Sequence, residues 1–125
     1  MEDTPSATPD PATSSLIASD RVEGTKVFGR DGGKLGAVHN FVVDKRSGQV
    51  AYVVVSTGGF LGLGQAYHPL PWSAFAYDEV QGGYVVQVDR RMLDGGPSFR
   101  PDSAPVFDDA YGRRISEYYA SAPAA

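Results

Sequence analysis

Short runs of alternating or continuous apolar residues, broken by glycine, run through most of the chain. Thr25-Lys26-Val27-Phe28 reads as a first strand. Gly29-Arg30-Asp31-Gly32-Gly33 reads as a turn, because Asp and Gly tolerate the positive φ that tight turns need. Leu35 to Asp44 is a second strand. One face of it carries Leu35, Ala37, His39, Phe41 and Val43, the other Gly36, Val38, Asn40, Val42 and Asp44. Apolar residues on both faces predict a barrel wall or a bulged strand. After the turn Lys45-Arg46-Ser47-Gly48, Gln49 to Ser56 is the strongest strand. Its run Val50-Ala51-Tyr52-Val53-Val54-Val55 is of the kind buried on both sides, which places it centrally. Thr57 to Gln65 is a glycine-rich loop. Tyr67 to Trp72 is an edge strand, since its prolines cannot donate to a ladder. Ser73 to Tyr77 is a turn and short strand, Gly82-Gly83 a hairpin turn, Tyr84 to Val88 the last strand and Arg90 to Leu93 a helical turn.

The flanks differ in character. Residues 1–14 are rich in Pro, Thr, Ser, Asp and Ala, and ordering them would cost entropy with no apolar burial to offset it, so they predict a disordered tail. Residues 15–94 form the predicted domain, 95–106 a linker and 107–121 a C-terminal helix. Asp108-Asp109 suits the positive end of that helix. Tyr111, Ile115, Tyr118 and Tyr119 share one helical face, which must be buried against the chain's own sheet or against a second protomer.

Five to six short strands with frequent turns and a short C-terminal helix predict a mostly β fold, a small barrel or a sandwich. Four groups of residues sharpen this. Lys34-Leu35-Gly36 with Val42-Val43-Asp44, Gly48 through Val55, Gly58-Gly59-Phe60-Leu61-Gly62-Leu63-Gly64, and Leu70-Pro71-Trp72-Ser73-Ala74-Phe75 stand in an order and spacing that resembles the PRC-barrel family over residues 15–94. That family takes its name from the cytoplasmic barrel of the photosynthetic reaction centre H subunit, and the barrel of the ribosome maturation factor RimM is similar. The resemblance implies a small PRC-type β-barrel like the free-standing bacterial members, with no catalytic residues to carry over and a role in docking or assembly. The membrane helix of the H subunit and the additional N-terminal barrel of the ribosome factor have no counterpart in this sequence.

Composition narrows the chemistry. With 125 residues the chain suits one domain, and its fifteen glycines and nine prolines fit many turns. The net charge is −4, and the eleven basic residues are paired only at Lys45-Arg46, Arg90-Arg91 and Arg113-Arg114. Nucleic acid and anionic membranes, which demand clustered cations, are therefore not the expected partners. The lack of cysteine excludes disulfides, thiolate catalysis and cysteine metal sites. No run is long and apolar enough for a membrane helix, and Met1 to Ser15 lacks the features of a secretory signal, so a cytoplasmic location is expected.

Each candidate site has a plain structural reading beside the functional one. The glycine loop lacks the Gly-Lys-Ser/Thr that a phosphate loop carries into a helix. Within it, Phe60, Leu61 and Leu63 form either an exposed apolar lip for a partner or a plug for one end of the barrel. His39 and His68 are too few for a zinc set without carboxylates, and read as a surface or barrel-wall residue and a hydrogen-bonded structural residue. No serine sits in a nucleophile elbow, and Asp78-Glu79 and Asp108-Asp109 are neighbours, not carboxylates placed across a substrate. Trp72 is expected in the core. The expectation is a non-catalytic binding or scaffolding module with no cofactor and no metal. It would act through protein–protein contacts, as a homodimer, with Phe60, Leu61, Leu63, Tyr111, Ile115, Tyr118 and Tyr119 as the candidate partner or dimer surface. A small-ligand or metal receptor at the barrel mouth, and an accessory ribosome or RNA factor, are the alternatives.

Overall fold

The computed structural model describes residues 16–58 and 64–120; the expected tail at 1–14 and the expected last helical residue, 121, lie outside that range. Six strands form one sheet: β1 (Lys26–Phe28), β2 (Lys34–Val43), β3 (Val50–Thr57), β4 (Ala66–Pro71), β5 (Phe75–Asp78) and β6 (Gly83–Val86), in the order β4-β3-β2-β1-β6-β5. Only β1 and β6 run parallel; every other neighbour is antiparallel. Among the described residues three α-helices accompany the sheet: α1 (Ser19–Val22), α2 (Arg90–Gly95) and α3 (Asp109–Ala120).

Local chemistry sets the turns. The Asp44 carboxylate accepts from the N–H groups of Arg46 and Ser47, and Gly48 then takes a φ of 77°, which closes the β2–β3 hairpin. Asp78 does the same for Val80 and Gln81 before Gly82. Where β2 passes β3, register shifts fall between Val38 and Asn40 and between Val42 and Val43, so His39 is bulged out. This is the bulge that the two-faced pattern of β2 predicts. At Gly36 a side chain is impossible, because a Cβ there would lie 2.1 Å from the Ser56 carbonyl oxygen.

Two apolar layers flank the sheet. Val27, Leu35, Val38, Val53, Val55, Leu70, Val86 and Val88 form the inner core, closed by Val22 of α1 and by Met92 and Leu93 of α2. On the other face of β3, Val54 is buried and Tyr52 touches the rings of Phe107 and Tyr111. There α3 packs across β4, with Ile115 fully buried. Burial on both faces is what the continuous run 50–55 predicts. The strand is second from the sheet's end and is paired on both sides.

The order places β4 and β5 at opposite ends of the sheet, yet only the 3₁₀ turn Trp72–Ala74 separates them in the chain. The sheet must therefore curl until its two ends approach, as a barrel does, but no ladder joins β4 to β5 among the described residues. Prolines explain the gap. Tyr67 exchanges hydrogen bonds of 2.9 Å with Phe99, so its N–H points away from β3. Residues two and four further on point the same way, and these are Pro69 and Pro71, which have no N–H to offer. Residues 95–106, expected as a linker, thus supply Phe99 to the outer side of β4.

Candidate functional site

Beside the open seam at β5 the rings of Trp72, Phe75, Tyr77 and Tyr84 cluster. Trp72 is 43% exposed, which corrects the expectation that it lies in the core. The 3₁₀ turn sets it on the corner between β4 and β5. It stacks on Phe75 and meets Phe41 and Tyr84 edge-on, with centroids 6.2–6.3 Å apart, while the rest of the ring faces outward. Tyr77, 57% exposed, leans on Tyr84 at 5.4 Å and extends this surface along β5.

The backbone beside these rings is also unmatched. The Phe75 N–H donates to the Trp72 carbonyl and so points away from β6. By strand alternation the N–H and C=O of Tyr77 point the same way, away from β6, and among the described residues β5 has no other ladder partner on that side. The seam therefore offers a donor, an acceptor and two aromatic rings within one short stretch. An extended peptide needs that set in order to add a strand.

The sequence-nominated residues are distributed differently. Tyr111 and Ile115 are buried within the chain, and Arg114 lies over the Tyr111 ring at 5.5 Å. The Tyr118 hydroxyl donates to the Met92 carbonyl at 2.7 Å, and Tyr119 packs against the inner core, where burial pushes its phenol far up. Phe60, Leu61 and Leu63 lie outside the described residues. The seam was missed because Tyr77 carries no motif and a large ring such as Trp72, at a strand end in a small barrel, reads as a core residue. The prolines that leave the edge open were read only as marks of an edge strand.

The two histidines do not converge. His39 stacks on Tyr67 at 4.1 Å on the outer face. His68, opposite Val55 in the ladder, faces inward, 3% exposed, with its Nε2 3.0 Å from the Thr57 hydroxyl. Burial lowers its pKa most, Arg90 adds a smaller push downward, and Asp94 and the Leu93 backbone oppose them. Among the described residues no group of three or more His, Asp or Glu could hold a metal ion. No helix among them is long and apolar enough to cross a membrane.

At the other end of β4, beside the Thr57 end of β3, lies a concavity of about 340 Å³ lined by Lys34, Leu35, Gly36, Ala37, Ser56, Thr57, Gly58 and Arg90. A second groove of about 530 Å³ runs between the β2–β3 hairpin and the start of α3, with Tyr52, Asp44, Asp108 and Arg113 among its walls. Asp44 there is committed to its own turn, whose backbone N–H groups hold its carboxyl below the usual range.

Comparison with known proteins adds the following. The family model described as PRC-barrel domain matches residues 15–93. No curated protein matches the chain. Among solved structures, a Pseudomonas aeruginosa protein described as a 16S ribosomal RNA processing protein, RimM, is similar at 17% identity and a TM-score of 0.42. The match covers 66% of this chain and 50% of that one, so the chain spans half the length of that relative.

Proposed function

Since the chain belongs to the PRC-barrel domain family, we propose that it is a non-catalytic docking module that adds an extended protein segment to the open edge of β5, and that a second copy of itself supplies this segment. One observation carries the reading: the unpaired N–H and C=O of Tyr77 stand beside the half-exposed rings of Trp72 and Tyr77. Two β5 edges related by a two-fold axis could exchange both Tyr77 hydrogen bonds, the isologous arrangement of a symmetric dimer. Aromatic residues at the centre of such a contact carry much of its energy.

Multi-angle light scattering across the micromolar range tests this. The wild type should be a dimer. Tyr77→Pro removes the outward N–H without touching the bonds to β6, and should be a monomer that still unfolds cooperatively. A wild type that stays monomeric throughout, or a Tyr77→Pro dimer, would overturn the reading.

A further inference from the structure

The concavity at the Thr57 end carries an inference independent of the seam. Its lining holds two cations, Lys34 and Arg90, and no carboxylate. They are 56 residues apart in sequence and are brought together when Arg90 Nη2 donates to the Lys34 carbonyl at 3.2 Å. That bond occupies one of the five guanidinium N–H donors and none of the Lys34 ammonium. The nearby acids are otherwise engaged. Asp89, next to Arg90, is paired with Arg30 at 3.2 Å and caps α2 through the Met92 N–H. Asp31 accepts from the Gly33 N–H. Asp94 is exposed on α2 and forms no part of the lining. Among the described residues neither Lys34 nor Arg90 has an ion pair.

The floor is kept low. At Gly36 a Cβ would strike the Ser56 carbonyl oxygen, so bare backbone lies between the two cations and the Thr57 end of β3. Gly58, at a φ of 71°, a backbone conformation that L side chains rarely adopt, borders this floor and lies against the Gly64 carbonyl, which a Cβ there would meet at 2.7 Å. Behind it, Thr57 and His68 are both buried and joined by a hydrogen bond, which gives the wall a fixed shape.

We propose that Lys34 and Arg90 form a binding site for a small phosphate-type anion, seated over Gly36 and Gly58. Two uncompensated cations over a polar floor, in a chain of net charge −4, suit a compact dianion. The absence of lysine from the glycine loop excludes a Walker loop but leaves this site intact, because its cations come from β2 and α2.

Titration of the ¹⁵N-labelled full chain with inorganic phosphate, at constant ionic strength, tests the proposal. The Gly36, Thr57 and Gly58 amides should shift and saturate. Lys34→Ala and Arg90→Gln should each weaken the midpoint about tenfold or more, while Arg113→Ala, in the other groove, should leave it unchanged. Saturation by glycerol 3-phosphate as well would mark the site as one for phosphoryl groups on small molecules; saturation by the free ion alone would mark it as an inorganic phosphate site. No saturable shift with either compound, or midpoints in the Lys34 and Arg90 variants equal to the wild type's, would overturn the proposal. Because each variant's folding is read from the same spectra, a collapsed fold cannot be mistaken for lost binding. Failure here would leave the β5 edge reading untouched.

Discussion

His68 lies on the inner face of β4, 3% exposed, with Thr57 as its hydrogen-bonding partner. Burial disfavours the imidazolium, so the folded pKa lies below the ordinary 6.5. The sign of the linkage follows. As pH falls below 6.5 the unfolded chain takes up a proton that the folded chain refuses, and stability drops; above 6.5 both states are neutral and the stabilisation is complete. Asp44, Asp78 and Asp89 act in a different window. Hydrogen bonds hold each below the usual 3.8, so their contribution is lost only in stronger acid. Urea midpoints should therefore fall between pH 6.5 and about 5 in the wild type, and this fall should flatten in His68→Gln, which keeps a side-chain partner for Thr57. An unchanged slope in the variant would remove His68 as the cause. The histidine's structural role was legible in the sequence, from its place in an apolar strand. Its partner was not, because strand pairing rather than chain proximity brings Thr57 to it.

At the scale of elements, α3 depends on its packed face more than on its own helix-forming tendency. Gly112 weakens the helix by up to about 1 kcal/mol relative to alanine, and it lets the Tyr52 ring pack close, since a Cβ there would lie 2.9 Å from the Tyr52 hydroxyl oxygen and the ring would have to shift. Ile115, wholly buried, and the bond from Tyr118 to the Met92 carbonyl hold the two ends of the face to the sheet and to α2. Ile115→Ala should cost about 2–5 kcal/mol, with the exact value set by how far the site collapses. Tyr118→Phe, which removes one hydrogen bond, should cost about 1 kcal/mol. Chemical denaturation measures both. A value near zero for Ile115→Ala would mean that α3 does not stay docked in solution. The helix and its apolar face were readable from the spacing of Tyr111, Ile115, Tyr118 and Tyr119. The surface that receives it was not readable, since Tyr52 and Phe107, whose rings meet Tyr111, come from separate segments that composition marks as strand and helix start.

For the molecule as a whole, the seam decides which parts of the sheet are self-sufficient. Strand count, turn positions and the burial of Val53, Val54 and Val55 in β3 followed from alternation and from the Asp and Gly of the turns. The gap between β4 and β5 followed from no local pattern. It requires knowing that the Tyr67 N–H bonds outward to Phe99, which turns Pro69 and Pro71 from marks of an edge into missing donors. Hydrogen exchange tests the resulting division. The amides of Val53, Val54 and Val55 lie in a strand paired on both sides and buried, and should exchange only through global unfolding. The Tyr77 amide, on an open edge, should exchange far faster in dilute protein. If β5 pairs with a second copy, raising the protein concentration should slow Tyr77 and leave the β3 amides unchanged, because dimerisation adds a partner to the edge alone. Slow exchange at Tyr77 even in dilute protein would mean that something within the chain already covers that edge. The same experiment in Tyr118→Phe should leave the contrast intact, since α3 lies across β4 and its loosening gives the β5 edge no new partner.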